Sequence, residues 1–333
     1  MRTEELTAVI EGSIRRICEQ LPPVPAHLYD PIRYTLSSRG KRLRPVLTLH
    51  AAELFSTDYR MAIPSALAIE LFHNFSLLHD DIMDNAPLRR GDPSVHAKWN
   101  SNVALLSGDA LYTEAFRQLA DSEHHALPQL LKIFTETALK VCEGQQLDMD
   151  FEKQDSVSIP DYLHMIELKT AVLIGAALKM GAVAGGADEH NAELLYLFGK
   201  HLGIAFQLQD DVLDVYGNAE KFGKRSGGDI IANKKTFLLL RAYESANRYQ
   251  KEELQNWSHT STLLGADDPI AHELSKVKAV KAIYDVLNVK DHALKEMHEH
   301  YRHAAAALEK VNAPMEKRKV LLDLADRLMK RDH

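Results

Sequence analysis

The sequence predicts an all-α protein, and three observations carry that prediction. Apolar residues recur at intervals of three and four, as in Ile63, Leu67, Leu71, Leu78 and Ile82, and again in Leu194, Leu197, Phe198 and Ile204. Alternating Val/Ile/Thr/Tyr runs joined by tight hairpin turns are missing. Between Pro160 and Pro269 no proline interrupts the chain, so that stretch is free to be helical throughout. In chain order, Pro22, Pro23, Pro25 and Pro31 punctuate an early segment expected to link a first helix to the body. Gly40-Lys41-Arg42-Leu43-Arg44-Pro45 leads into a helix over Val46 to Phe55, with the proline suited to the helix start. Asn218 to Lys235, rich in Gly, Lys and Asp, reads as one loop, and Asn256 to Pro269, rich in Ser, Thr and Asp, as another. Apolar helices flank both, so residues 1–333 are expected to form a single domain. At about 150 residues per domain the length also allows two.

Composition excludes several classes. With 45% apolar and 26% charged residues the chain is too apolar and too mixed for disorder. Two cysteines, Cys18 and Cys142, cannot make a disulfide framework and fit a reducing, cytoplasmic setting. The greasiest run, Ala171 to Gly186, carries Lys179 and falls short of about 20 uncharged apolar residues, so no membrane span is expected. Glu4 and Glu5 stand where a signal peptide needs bases. A net charge of −7 argues against nucleic acid.

One pattern occurs twice: Asp80-Asp81-Ile82-Met83-Asp84 and Asp210-Asp211-Val212-Leu213-Asp214. On a helix the first and fifth positions share a face, so Asp80 pairs with Asp84 and Asp210 with Asp214, while Asp81 and Asp211 sit to one side. Like charges at that spacing cost a helix a few tenths of a kcal/mol, which a cation offsets. Hard oxygen donors with nothing softer nearby point to Mg2+, which shares its ligands with substrate phosphate. Bases that suit phosphate accompany them: Lys41 and Arg44 around a helix start, and Arg89-Arg90 one short loop beyond the first cluster.

These residues resemble those of the trans-isoprenyl diphosphate synthases, or polyprenyl synthetases, over nearly the whole chain. Gly40–Arg44 resembles the family's Gly-Lys-x-x-Arg segment and His73 a further ligand of isopentenyl diphosphate. Leu77 to Gly91 resembles the first aspartate-rich motif with its arginine pair, Gly144-Gln145-x-x-Asp148 a Gly-Gln-x-x-Asp segment, and Lys169-Thr170 a Lys-Thr pair. Phe206 to Asp214 resembles the second motif, and Gly223-Lys224 with Asn233-Lys234 the lysine-bearing loop beyond it. The resemblance implies a single-domain bundle of ten or more helices around a central cavity. It implies a homodimer, with the helices near Leu105 to Phe116 as the candidate interface. It also implies roughly three Mg2+ ions held by Asp80, Asp84 and Asp210, with Asp81 and Asp214 in the metal set. Arg89, Lys169, Lys224 and Lys234 are then expected on the allylic diphosphate, and Lys41, Arg44, His73, Arg90 and Gln145 among the substrate-binding residues. Thr170 and Gln207 would face the allylic cation, and released diphosphate would take the proton.

Ser76, Phe75 and Phe72 lie four, five and eight residues before Asp80, about 6 to 12 Å down the helix. In the resembled family an aromatic at the fifth position without insertion accompanies geranylgeranyl synthases, so a twenty-carbon product is expected and a fifteen-carbon one is the alternative. His298 to His303 reads as a solvated helix face, Gly199 and Gly203 as sites of close helix packing, and Gly223–Gly228 lacks P-loop spacing. Rival readings are a terpene cyclase, a non-catalytic partner subunit of a heteromeric synthase and a metal-storage bundle. The first lacks a reason for the Gly-Lys-x-x-Arg segment, the second for six intact aspartates, and the third for the arginines. Those six aspartates carry most of the net charge, and bound Mg2+ would cancel it.

Overall fold

A computed structural model describes residues 3–38, 40–123, 125–217, 227–259 and 269–330. Its helices, in chain order, are α1 (Thr3–Gln20), α2 (Ala26–Ser37), α3 (Leu43–Phe55), α4 (Ile63–Met83), α5 (Val95–Lys98), α6 (Ser101–Ala120), α7 (Leu127–Lys153) and α8 (Ile159–Ile166). There follow α9 (Val172–Ala184), α10 (Glu189–Tyr216), α11 (Gly228–Ile231), α12 (Phe237–Ser245), α13 (Arg248–His259), α14 (Pro269–Val286), α15 (Val289–Glu309) and α16 (Met315–Met329). A 3-10 turn, Tyr59–Ala62, leads into α4, and a π-helical turn, Glu167–Ala171, joins α8 to α9. The all-α expectation holds.

The chain divides into two compact units. The first comprises Met1–Lys140, Val172–Gly199 and Ala307–Leu321. Its core is α3, α4 and α9, where α9 has every residue but Lys179 buried. Small residues let α9 lie against the α3 backbone: a Cβ on Gly181 would stand 2.0 Å from the Thr48 carbonyl oxygen, and one on Gly185 2.7 Å from that of Ala52. Gly199 meets Gly175 and Leu178 in the same way, as the spacing predicts. The second unit comprises Val141–Ala171, Lys200–Ala306 and Leu322–His333. Its core joins Tyr162 and Met165 of α8, Leu208 and Val212 of α10, Leu238 of α12, and Tyr284, Val289 and Ala293 of α14 and α15.

Several local expectations change. Pro31 lies inside α2 rather than in a linker, at the cost of one helical hydrogen bond. The arginine pair sits on a small antiparallel hairpin, Leu88–Arg89 with Asp92–Pro93, not in plain loop. Arg90 and Gly91 form its turn with φ of 56° and 88°, the doubly left-handed geometry that matches strand twist. The 218–235 loop contains α11, and α13 runs on to His259 because Leu254 and Trp257 pack against the second unit's core. Tyr59–Met83 is, by length and composition, apolar enough to cross a membrane, unlike the expectation of no span; 61% of its most apolar window is buried inside the protein, as in a core helix. The histidine patch is only partly solvated, since His300 Nδ1 lies 3.0 Å from His201 Nδ1.

Candidate active site

In the first unit, α4 ends where its aspartates begin to matter. Asp84 is the C-cap, Asn85 follows in the left-handed region at φ 48°, and the Ala86 N–H donates to the Asp81 carbonyl (2.9 Å) while Asn85 N–H donates to Ile82 (3.3 Å). This Schellman-type ending turns the chain back, so that Arg89 returns to the helix it has just left. Arg89 Nε donates to Asp81 Oδ1 (2.8 Å), a second bond from Nη2 reaches the same oxygen, and Nη2 stands 3.6 Å from Asp80 Oδ2. Asp81 is thus 5% exposed, and burial raises its carboxyl from the ordinary range against the pull of Arg89. Asp80 is half-buried and Asp84 exposed, on the face left open.

The basic cluster lies in the same unit. Arg42, left-handed at φ 46°, is the N-cap of α3, which places Lys41 just outside the helix and Arg44 in its first turn. Arg44 Nη1 lies 3.2 Å from His73 Nε2 on α4. Burial pushes the Arg44 guanidinium down to about 10, and burial together with Arg44 and Arg90 holds His73 well below its usual value, so that it is neutral. Arg90 Nη1 reaches Ser38 Oγ (3.1 Å). It does so across Gly40, where a Cβ would stand 2.8 Å from that guanidinium.

In the second unit the same division of labour recurs. Asp210 is exposed and Asp214 half-buried in the last turns of α10, whereas Asp211 is 3% exposed. The Tyr162 hydroxyl donates to Asp211 Oδ2, and Gln207 Nε2 donates to Oδ1 (3.3 Å). Burial, then Asp229, pushes the Asp211 carboxyl up to about 7. Asp214 Oδ2 accepts from the Asp229 N–H (2.9 Å) at the start of α11. Thr170 Oγ1 donates to Gln207 Oε1 (3.3 Å), which joins the Lys-Thr pair to the motif. Lys169 and Thr170 occupy the π-helical turn, and Gly144 makes room for it: a Cβ there would stand 2.3 Å from the Lys169 backbone nitrogen. Lys169 Nζ bonds Asp148 Oδ2 (2.6 Å), and Gln145 Nε2 is buried without a hydrogen-bond partner. Lys234 is exposed beside Asn233, itself at φ 54°. Lys224 and Gly223 lie outside the described residues.

Phe75 and Phe72 head an aromatic group completed by other helices. Phe75 stacks on Tyr112 of α6 (4.9 Å, 13°), and Phe72 contacts Phe75, Tyr112 and Phe134 at 5.4 to 5.6 Å. Phe116 closes on Phe134 at 5.2 Å, and Ser76 turns its hydroxyl to the His73 carbonyl (2.9 Å). Tyr112, Phe116 and Phe134 carry no linear signal, because they join the group from other helices.

The outward aspartates fit a hard divalent cation. Both pairs present carboxylate oxygens at a helix C-terminus, where the dipole disfavours anions by about 0.3–1 kcal/mol. Among the described residues, no three His, Cys, Asp or Glu side chains are gathered at metal-binding distance, so water and phosphate oxygens would complete the shell, as Mg2+ prefers.

Residues 25–266 match the family described as Polyprenyl synthetase. A geranylgeranyl diphosphate synthase of Methanosarcina mazei is 44% identical over 230 residues, covering 68% of this chain and 71% of that one. A geranylfarnesyl diphosphate synthase of Natronomonas pharaonis is 40% identical over 245 residues, covering 68% and 72%. A crystal structure of a geranylgeranyl pyrophosphate synthase superposes with a TM-score of 0.93 at 42% identity, covering 99% of each chain. The fold is that of the all-α isoprenyl synthases. The chain belongs to the polyprenyl synthetase family and is a prenyltransferase, of a family whose members are generally metal-dependent.

Proposed function

We propose that the chain joins isopentenyl diphosphate head to tail to allylic diphosphates, with Mg2+, and releases a twenty-carbon trans-prenyl diphosphate. The observation that carries this reading is the repeated arrangement in which the second aspartate is buried on a dedicated partner, Arg89 in one motif and Tyr162 with Gln207 in the other, while the first and fifth carboxylates are the more exposed. Asp80, Asp84, Asp210 and Asp214 would hold the ions, and Asp81 and Asp211 would anchor Arg89 and Gln207. Bound Mg2+ supplies charge neutralisation that turns the allylic diphosphate into a leaving group. Arg89, Lys169, Lys224 and Lys234 add charge-assisted bonds to that diphosphate. As its C–O bond breaks, the Thr170 hydroxyl and the Gln207 carbonyl oxygen face the allylic cation without reacting with it. Lys41, Arg44, Arg90 and neutral His73 hold isopentenyl diphosphate so that its double bond forms the new C–C bond. Attack leaves a cation on the methyl-bearing carbon of the isopentenyl unit. The CH2 beyond it, on the diphosphate side, then loses a proton to the released diphosphate and its C–H electron pair forms the new double bond, while Gln145 donates its amide hydrogens to a substrate oxygen.

Product length rests on the floor below the first motif. Phe75 stacked on Tyr112 supports twenty carbons; the relative named for a longer product shows that close sequence similarity does not decide the length by itself. The proposal includes residues 1–333 acting as one catalytic domain and a homodimer through α6, where Leu105 and Leu106 are 47% and 59% exposed. It also includes a cytoplasmic setting, which the two free thiols of Cys18 and Cys142 support. Incubating the chain with isopentenyl diphosphate, Mg2+ and each allylic primer, then separating the products by chromatography, tests it. Geranylgeranyl diphosphate is expected, and chelation by EDTA should stop its formation. No condensation with any primer would overturn the reading, and a fifteen-carbon product would replace its length.

A further inference from the structure

Between Lys41 and Arg44, the family-like pattern leaves two positions open, yet Arg42 in the first of them is 4% exposed and its guanidinium is bonded on every nitrogen. Nε donates to Glu11 Oε1 (2.8 Å) and Nη1 to Glu70 Oε1 (2.8 Å). Nη2 donates to the carbonyls of Leu36 (2.6 Å) and Ser38 (3.2 Å). Glu70, 3% exposed on α4, also accepts from Asn74 Nδ2 (3.2 Å). Three residues further along the same helix stands His73, 3.2 Å from Arg44. Two links therefore join the start of α3 to α4 within one turn of each other, Arg42–Glu70 and Arg44–His73. Arg42, Arg44 and Arg90 are mutually repulsive cations, and Glu70 is the buried anion whose field favours the charged form of all three.

We propose that Arg42 and Glu70 are positioning residues for the isopentenyl diphosphate end of the site. Their ion pair holds the backbone that carries Lys41 and Arg44 in register with the helix face that carries His73. Neither touches substrate; both act through the residues that do. The inference rests on the condensation reading above. It separates the two substrates, because Asp80, Asp84 and Arg89, assigned to the allylic side, lie beyond the stretch of α4 that carries Glu70 and His73.

Glu70→Gln keeps the shape and an acceptor for Arg42 but removes the charge, Arg42→Met keeps the length without the fork, and Arg42→Lys keeps the charge without the fork. The KM for each substrate and kcat are measured for the wild type and these variants, with melting temperatures alongside. The expected result is a KM for isopentenyl diphosphate raised about tenfold or more in Arg42→Met and about threefold or more in Glu70→Gln. The KM for the allylic substrate and kcat should stay within about twofold, and Arg42→Lys should recover only part of the loss. If Arg42→Met does not fold, the near-isosteric Glu70→Gln carries the same comparison. Folded variants in which both KM values move together, or neither moves, overturn the inference. A wild-type chain that condenses nothing overturns the condensation reading and this one with it, whereas a wild type that condenses without the split in its variants overturns this one alone.

Discussion

Asp81 and Asp211 are what make their neighbours available. Each is buried and bonded to a fixed partner, Arg89 in one motif and Tyr162 with Gln207 in the other. The helical period then sets the first and fifth carboxylates together on the more exposed face. Asp80→Ala and Asp210→Ala are expected to lower kcat by at least about a hundredfold with unchanged circular dichroism. Near-normal turnover in both would refute the metal assignment. Asp81→Asn should be milder, since an amide oxygen still accepts from Arg89. Phe75→Ala removes the ring stacked on Tyr112, and chromatography should then show products longer than twenty carbons. An unchanged product spectrum would count against this floor. Phe75 and the aspartate spacing were legible in the sequence; Tyr112, Phe116 and Phe134 were not, because contacts between different helices leave no mark on local periodicity.

Helix contacts made by glycine set the positions of whole elements. Gly144 admits the π-helical turn that carries Lys169 and Thr170, and Gly181 lets α9 rest on α3. Gly181→Ala places a methyl where the Thr48 carbonyl stands, and overpacking of that kind costs about 1–3 kcal/mol. Differential scanning calorimetry should show a lower melting temperature for Gly181→Ala. Gly12→Ala, in α1 with nothing within 4 Å of the added Cβ, should be neutral or stabilising by up to about 1 kcal/mol. Equal melting temperatures for the two variants would contradict the close approach. Helix identity was readable from the three-and-four spacing. The π turn was not, since it depends on Gly144 one helix away rather than on Lys169 or Thr170. The hairpin at Arg89–Arg90 escaped notice for a related reason: two-residue strands are too short to alternate.

Across the molecule, net charge and histidine content make stability depend on pH. Burial pushes His201 down to about 4, and His300, His303 and Lys200 reinforce the shift against Glu167. His300 is also lowered by burial, with Glu296 3.6 Å from its Nε2 and Glu299 3.9 Å from His303. The unfolded chain therefore binds protons near pH 6.5 that the folded chain refuses until about pH 4, so this region loses stability as pH falls through that window. Melting temperature is expected to drop between pH 7 and pH 5, and His201→Gln should flatten the drop. An identical pH slope in wild type and variant would show that the cluster does not contribute.

Helical class, the two acidic motifs and the phosphate-seeking bases were all determined by the sequence itself. They depend on residue type and on spacings within two turns, where the 3.6-residue period alone places side chains. Tertiary structure decided which aspartate in each motif turns inward, why Gly144 must be glycine, and that Arg42 and Glu70 cross-link α3 to α4. Each of these joins residues distant along the chain, such as Tyr162 and Asp211, and such pairs become neighbours only when helices pack and burial makes an unpartnered charge too costly to keep.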